Sequence, residues 1–216
     1  MHPYRSIHVT GEASVEAPPD FAQVTLGVST TAKEASKAMA GNAEATTALI
    51  ATLKSEGIAA ADIQTSRVSV SRQFFRLLPR STKKPSTPGY VVGNMVTVTV
   101  RDLPRLGPLL DRAVGSGANT VHGVSFGRSN QSALLAKARP LALAEARRKA
   151  EIYAAAAGTN IGRLIDLSEQ AGMRFAPIPR RVMFAMESAD MAASTPIEAG
   201  EDKFTVTVTA RYELSK

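Results

Sequence analysis

The chain has 216 residues, of which 44% are hydrophobic, enough to bury a substantial core as one domain or as two small lobes. It carries no cysteine, which excludes disulfides, thiolate nucleophiles, Cys-ligated zinc and iron–sulfur clusters, and its three histidines, His2, His8 and His122, have no close metal-ligand spacing. The formal charge is +7 and the pI about 9.9, so acidic partners have to be considered.

The charge is unevenly placed. Between Ile63 and Arg101 there is no Asp or Glu, while Arg67, Arg72, Arg76, Arg80, Lys83, Lys84 and Arg101 all fall there. No run approaches the ~20 apolar residues of a spanning helix, and the opening MHPYRSIHV lacks the apolar stretch of a signal peptide. The chain is expected to be soluble, either cytosolic or exported by a signal ahead of Met1.

In chain order, Ser6 to Ala17 alternates Ile7, Val9, Gly11 and Ala13 against His8, Thr10, Glu12 and Ser14, the two-residue period of a strand. Pro18-Pro19-Asp20 breaks it. Phe21 to Thr30 resumes the alternation with Val24, Leu26 and Val28, and a β-hairpin is the economical expectation for the pair. Thr31 and Glu34 have capping-box spacing, so a helix is expected to begin there, with Ala38, Asn42, Ala45, Leu49 and Leu53 as its apolar stripe and Gly57 as its stop. Asn42 on that stripe either bonds a neighbouring strand or sits at the helix edge in water.

Ile63 to Leu77, with Val68 and Val70 alternating against serines, and the strand from Gly89, with Val96, Val98 and Val100 alternating against Thr97 and Thr99, are expected to form a long hairpin. Its tip, residues 78–88, is basic and rich in Pro and Ser. Asp102, Pro104 and Pro108 suit the start of a short helix carrying Leu106, Leu109, Leu110 and Val114, which Gly115 and Gly117 stop before a strand from Thr120 to Phe126. Asn130 can cap a long helix ending near Gly158, with Leu135, Ala138, Ala142, Ala146, Ala150 and Tyr153 as a face of mostly small residues and a kink expected ahead of Pro140. A strand from Ile161 to Ser168 and a last one from Lys203 to Leu214 enclose an irregular, Met-rich segment, residues 169–201. Hairpins outnumber strand–helix–strand repeats, so the expected class is α+β: a largely antiparallel sheet with two long helices on one face and a short helix in a strand–helix–strand unit.

Several of these stretches, taken together and in this order, resemble the SIMPL-domain family of exported bacterial proteins, often called periplasmic immunogenic proteins. They are IHVTGEASVEAPPDFAQVTLGV (Ile7 to Val28), Asn42, GIAAADIQTSRVSV (Gly57 to Val70), VTVTVRDLPRLGPLLDRAVGSGANTVHGVSF (Val96 to Phe126), ARRKAEIYAAAAG (Ala146 to Gly158) and TVTVTARYEL (Thr205 to Leu214). The resemblance implies one SIMPL-type domain over residues 6–215, as one lobe or two, a periplasmic location with the export signal outside this sequence, and a tendency to self-associate. It carries associations with envelope or oxidative stress tolerance and with host immune recognition, and it supplies no catalytic motif. Gly107-Pro108, Pro140, the basic tip and the Met-rich segment depart from the family pattern.

The first functional expectation is a non-enzymatic, self-associating scaffold. Its homo-oligomer contact is placed at Phe175, Met183, Phe184 and Met186, residues that could instead form a lid over the sheet. The alternative is an anion-binding module that contacts acidic envelope components through Arg72, Arg76, Arg80, Lys83 and Lys84. Nucleic acid is not an expected partner, because RNP, helix-turn-helix and zinc-finger signatures are missing. Catalysis is not expected either. Ser125, His122 and Asp111 lack a G-x-S-x-G elbow, Glu145, Glu151 and Asp166 lack a shared motif, and the glycines form neither a P-loop nor a G-x-G-x-x-G turn. No cofactor or metal is implied.

Overall fold

The computed structural model describes residues 5–74, 88–170 and 197–215. The alternating stretches become β1 (Ser6–Ala17), β2 (Phe21–Ala32), β3 (Ile63–Phe74), β4 (Pro88–Val100), β5 (Thr120–Gly127), β6 (Asn160–Gln170) and β7 (Asp202–Ser215). The helical stretches become α1 (Ala35–Ser55), α2 (Leu106–Gly115) and α3 (Gln131–Ala156). The class is α+β with antiparallel strands, as expected, and the strands are shared between a three-stranded and a four-stranded sheet.

The chain divides into two compact units. One contains described residues 5–19, 128–170 and 200–215, with strand order β1-β7-β6 and α3 packed on the sheet. The other contains described residues 20–74, 88–127 and 197–199, with strand order β3-β4-β2-β5 and α1 packed on the sheet.

The expected hairpin of the first two strands does not form. Along its whole length β1 pairs with β7, while β2 pairs with β4 and β5 in the other sheet. The turn explains this: a tight hairpin needs positive φ at its central residues, and Pro18 and Pro19 are locked near −65°. Their linker joins two sheets instead.

In the first unit, Val9, Val206, Val208, Ala210 and Tyr212 are buried against Ala138, Ala142, Ala146 and Ala150. The buried stripe of α3 runs Leu134, Ala138, Ala142, Ala146, Ala150, Ala154, one residue every four. Tyr153, expected on that face, is exposed. A strict four-residue ridge of methyl groups lets the helix axis come close to the strands, which larger side chains would prevent. The helix continues through Pro140, although the Ala136 carbonyl there loses its usual N–H donor.

In the second unit, Val24, Leu26, Val28, Val96, Val98 and Val100 face Leu49, Leu53, Leu106 and Leu109. Each fully buried aliphatic side chain contributes about 1.5–3 kcal/mol, so this layer supplies most of the unit's cohesion. The start of α1 differs from expectation. Strand pairing carries β2 through Thr31 and Ala32, opposite Val91 and Tyr90, so the helix begins at Ala35 with Glu34 as its N-cap and no side-chain capping bond. Ladder hydrogen bonds outweigh the local capping box here. Gly57 ends α1 with φ 89°, in the left-handed region its position predicted.

Asn42 takes the first of its two expected roles. It is buried, and its Nδ2 donates to the carbonyl oxygens of Val28 at 2.9 Å and Val92 at 3.1 Å. One amide group thereby ties α1 to two adjacent strands.

Candidate functional site

Among the described residues, two features of the second unit stand apart from its core. The first is the outer edge of β3. This strand pairs with β4 on one side and ends the sheet on the other. Val68 and Val70 lie on its apolar side yet are 56% and 49% exposed, because α1 covers the centre of the sheet and barely reaches its edge. Unpaired backbone beside exposed β-branched residues is a template for another strand. Arg67, Ser69 and Ser71 alternate with the valines on the opposite face.

The second feature is a cleft of about 490 Å³ between the C-terminal end of α1, the end of β4 and α2. Ile58, Val100, Pro104, Pro108 and Leu109 give it apolar walls. Apart from the exposed Asp102, its charged side chains fall into two groups. Asp62 accepts two hydrogen bonds from Arg101, from Nε at 3.0 Å and from Nη2 at 2.8 Å. This hydrogen bonding holds the Asp62 carboxyl below its usual range and raises Arg101. Glu56 is shared by two guanidinium groups: Arg105 Nη2 donates to its Oε2 at 3.4 Å and Arg112 Nη1 to its Oε1. Sequence reasoning missed this cleft, because its residues come from separate segments. The readable signal was the seven-residue spacing of Arg105 and Arg112, which puts both on one side of a helical stretch.

A smaller groove of about 250 Å³ lies among Gly27, Ser29, Ser69, Ser71, Gly93, Thr120 and His122. His122 is accommodated because Gly27 has no side chain; a Cβ there would lie 3.1 Å from its Nε2. The groove contains neither Ser125 nor Asp111. Ser125 sits on β5 and its hydroxyl donates to the Gln23 carbonyl at 3.4 Å, while Asp111 belongs to α2. The structure therefore does not gather these three residues into one site. Glu145 is held by Arg148 and Lys149, Glu151 by Arg147, and Asp166 lies opposite Arg211 in the β6–β7 ladder.

Of the residues assigned to anion binding, Arg72 lies on β3 opposite Tyr90, whereas Arg76, Arg80, Lys83 and Lys84 lie outside the described residues. The proposed oligomer contact, Phe175, Met183, Phe184 and Met186, also lies outside them. No helix among the described residues is long and apolar enough to cross a membrane, and no cluster of three or more His, Asp or Glu that could hold a metal ion is found among them.

Comparison with known proteins gives a consistent result. The model of a family described as SIMPL, protein of unknown function (DUF541), matches residues 7–212. The chain is 36% identical over 212 residues to the 26 kDa periplasmic immunogenic protein of Brucella melitensis, covering 96% of this chain and 84% of that protein. The protein of the same name from Brucella abortus is matched to the same extent. The uncharacterized protein YggE of Escherichia coli is 28% identical over 208 residues, covering 96% of this chain and 82% of that one.

Proposed function

Because the chain belongs to the SIMPL family, whose function is unknown, we propose that it is a non-enzymatic periplasmic protein that works by self-association through the open edge of β3. The periplasmic part rests on the relatives named as periplasmic proteins, most of whose length this chain spans. A setting in envelope or oxidative stress tolerance is carried over from the family resemblance. The non-enzymatic part is supported by the dispersal of Ser125, His122 and Asp111 and by the ion pairs that occupy Glu145 and Glu151.

The observation that carries self-association is the local sequence of the edge, Ser66-Arg67-Val68-Ser69-Val70-Ser71-Arg72. Two copies paired antiparallel about Ser69 bring Val68 of each copy opposite Val70 of the other and Arg67 opposite Ser71. The apolar residues cover one another and no like charges face directly, the condition for a favourable cross-strand pair. The same patch serves both partners, as an isologous two-fold interface requires.

Sedimentation velocity over a range of concentrations tests the proposal. The wild-type chain is expected to sediment as an oligomer and a Val68→Lys, Val70→Lys variant as a monomer. A wild-type chain that stays monomeric at high concentration overturns the reading.

A further inference from the structure

We infer that the cleft between α1 and α2 is a binding site for a small amphipathic carboxylate, its head on Arg105 and Arg112 and its apolar tail along Ile58, Val100 and Leu109. This site is separate in residues from the β3 edge. A volume of about 490 Å³ lies within the ~300–1,000 Å³ of small-molecule sites, and apolar walls with a few convergent polar groups are the usual make-up of such sites.

The charges select the ligand and its orientation. A guanidinium group has five N–H donors. Arg101 commits two of them to Asp62 in a closed bidentate pair. Arg105 and Arg112 each give one hydrogen bond to Glu56, so each keeps further donors for a second acceptor. Glu56 is sheltered, with 14% of its side chain exposed, and sits behind the two arginines, whose side chains are 57% and 62% exposed. Two positive charges against one negative leave a local excess at this end of the cleft. A second carboxylate arriving from solvent completes a two-by-two arrangement of guanidinium and carboxylate groups. Asp102, exposed and adjacent in sequence to Arg101, disfavours an anionic head at the other end of the cleft.

The fold holds the two arginines in place. Arg105 immediately precedes α2 and Arg112 lies in its last turn, while Gly57, at φ 89°, turns the chain after α1 so that Glu56 and Ile58 both reach the cleft. A Cβ at Gly57 would stand 3.8 Å from Arg105 Nη1, so the backbone forms part of the wall beside the guanidinium.

The test is a backbone amide NMR titration of the full chain with octanoate, 1-octanol and octylamine in parallel. Octanoate is expected to shift the amides of Ile58, Val100 and Leu109 saturably. Octanol should bind at least about tenfold more weakly, because it lacks the charge-assisted hydrogen bonds, and octylamine more weakly still. An Arg105→Ala, Arg112→Ala variant should lose about tenfold or more in octanoate affinity, while removing the other ion pair whole, in Asp62→Asn, Arg101→Gln, leaves the cleft's net charge unchanged and changes it by less than about threefold. If the double variant does not fold, Arg112→Gln alone carries the test, with a smaller loss expected. Octanol binding as tightly as octanoate, unchanged affinity in the Arg105 and Arg112 variants, an equal loss in Asp62→Asn, Arg101→Gln, or no shifts in the cleft would each overturn the assignment.

Discussion

Gly11 on β1 lies so close to Ala146 on α3 that a Cβ added at Gly11 would stand 2.8 Å from the Ala146 Cβ, 2.5 Å from its backbone nitrogen and closer still to the carbonyl oxygen of Ala142 one turn earlier. None of these atoms can swing aside as the end of a long side chain could. The close approach depends on both residues: no side chain on the strand, and only a methyl group on the helix. Gly11→Ala is therefore expected to destabilise the chain by at least the ~1–3 kcal/mol that overpacking usually costs, since two of the three clashing atoms are backbone, seen as a lower urea midpoint with little change in slope.

The opposite outcome is expected for another glycine. Gly41 lies inside α1, its φ is not positive, and a Cβ there would meet nothing within 4 Å. Gly41→Ala removes backbone freedom from the unfolded chain without a clash and should stabilise by about 0.5–1 kcal/mol. Thermal melts of the two variants side by side check both signs at once.

Asn42 supplies the single side-chain link from α1 to both the Val28 and Val92 carbonyls. Asn42→Ala removes two buried hydrogen bonds between α1 and the sheet while Val28 and Val92 keep their partners in the β2–β4 ladder, a cost of about 0.5–1.5 kcal/mol for each bond lost. Asn42→Asp should cost more at neutral pH, because it aims a carboxylate at two carbonyl oxygens. Urea unfolding of both variants gives the order: wild type, then Ala, then Asp.

Much of this was legible in the sequence and some was not, for identifiable reasons. Alternation located the strands, and the four-residue stripe of alanines located the packed face of α3. Alternation says which face of a strand is buried and nothing about its neighbour, so the first two strands looked like a hairpin. The two prolines held the contrary information in their fixed φ. The capping box at Thr31 and Glu34 was real as a spacing and was overridden by pairing of Thr31 and Ala32 with β4, a long-range effect. Tyr153 and Ala154 differ by one helical step, and only the contact with the sheet shows that Ala154 is the buried one. The arginine cleft needed the fold before Glu56, Arg105 and Arg112 could be seen as one group.

The Asp62–Arg101 pair sets a pH dependence. Hydrogen bonding to Arg101 lowers the folded-state pKa of Asp62 below its ordinary value of 3.8. A carboxyl whose pKa is depressed on folding adds stability that is fully present above its unfolded pKa and disappears as pH falls through the folded one. The stability difference between wild type and Asp62→Asn should hold steady at neutral pH and shrink only in acid, below about pH 4. An NMR titration of the Asp62 carboxyl gives the folded pKa directly.

The self-association proposal can be tested at a single atom pair. The chain has no cysteine, so Ser69→Cys introduces a lone thiol at the centre of the proposed β3–β3 contact. Directly opposed residues on antiparallel strands have Cα atoms about 4.5–5.5 Å apart, within the range a disulfide can bridge. Ser71→Cys places its thiol opposite Arg67 of the second copy, too far from its own counterpart to bridge. Mild oxidation followed by non-reducing electrophoresis should give a covalent dimer for Ser69→Cys and a monomer for Ser71→Cys. No dimer from Ser69→Cys, or equal dimer from both variants, would contradict pairing of two copies through this edge.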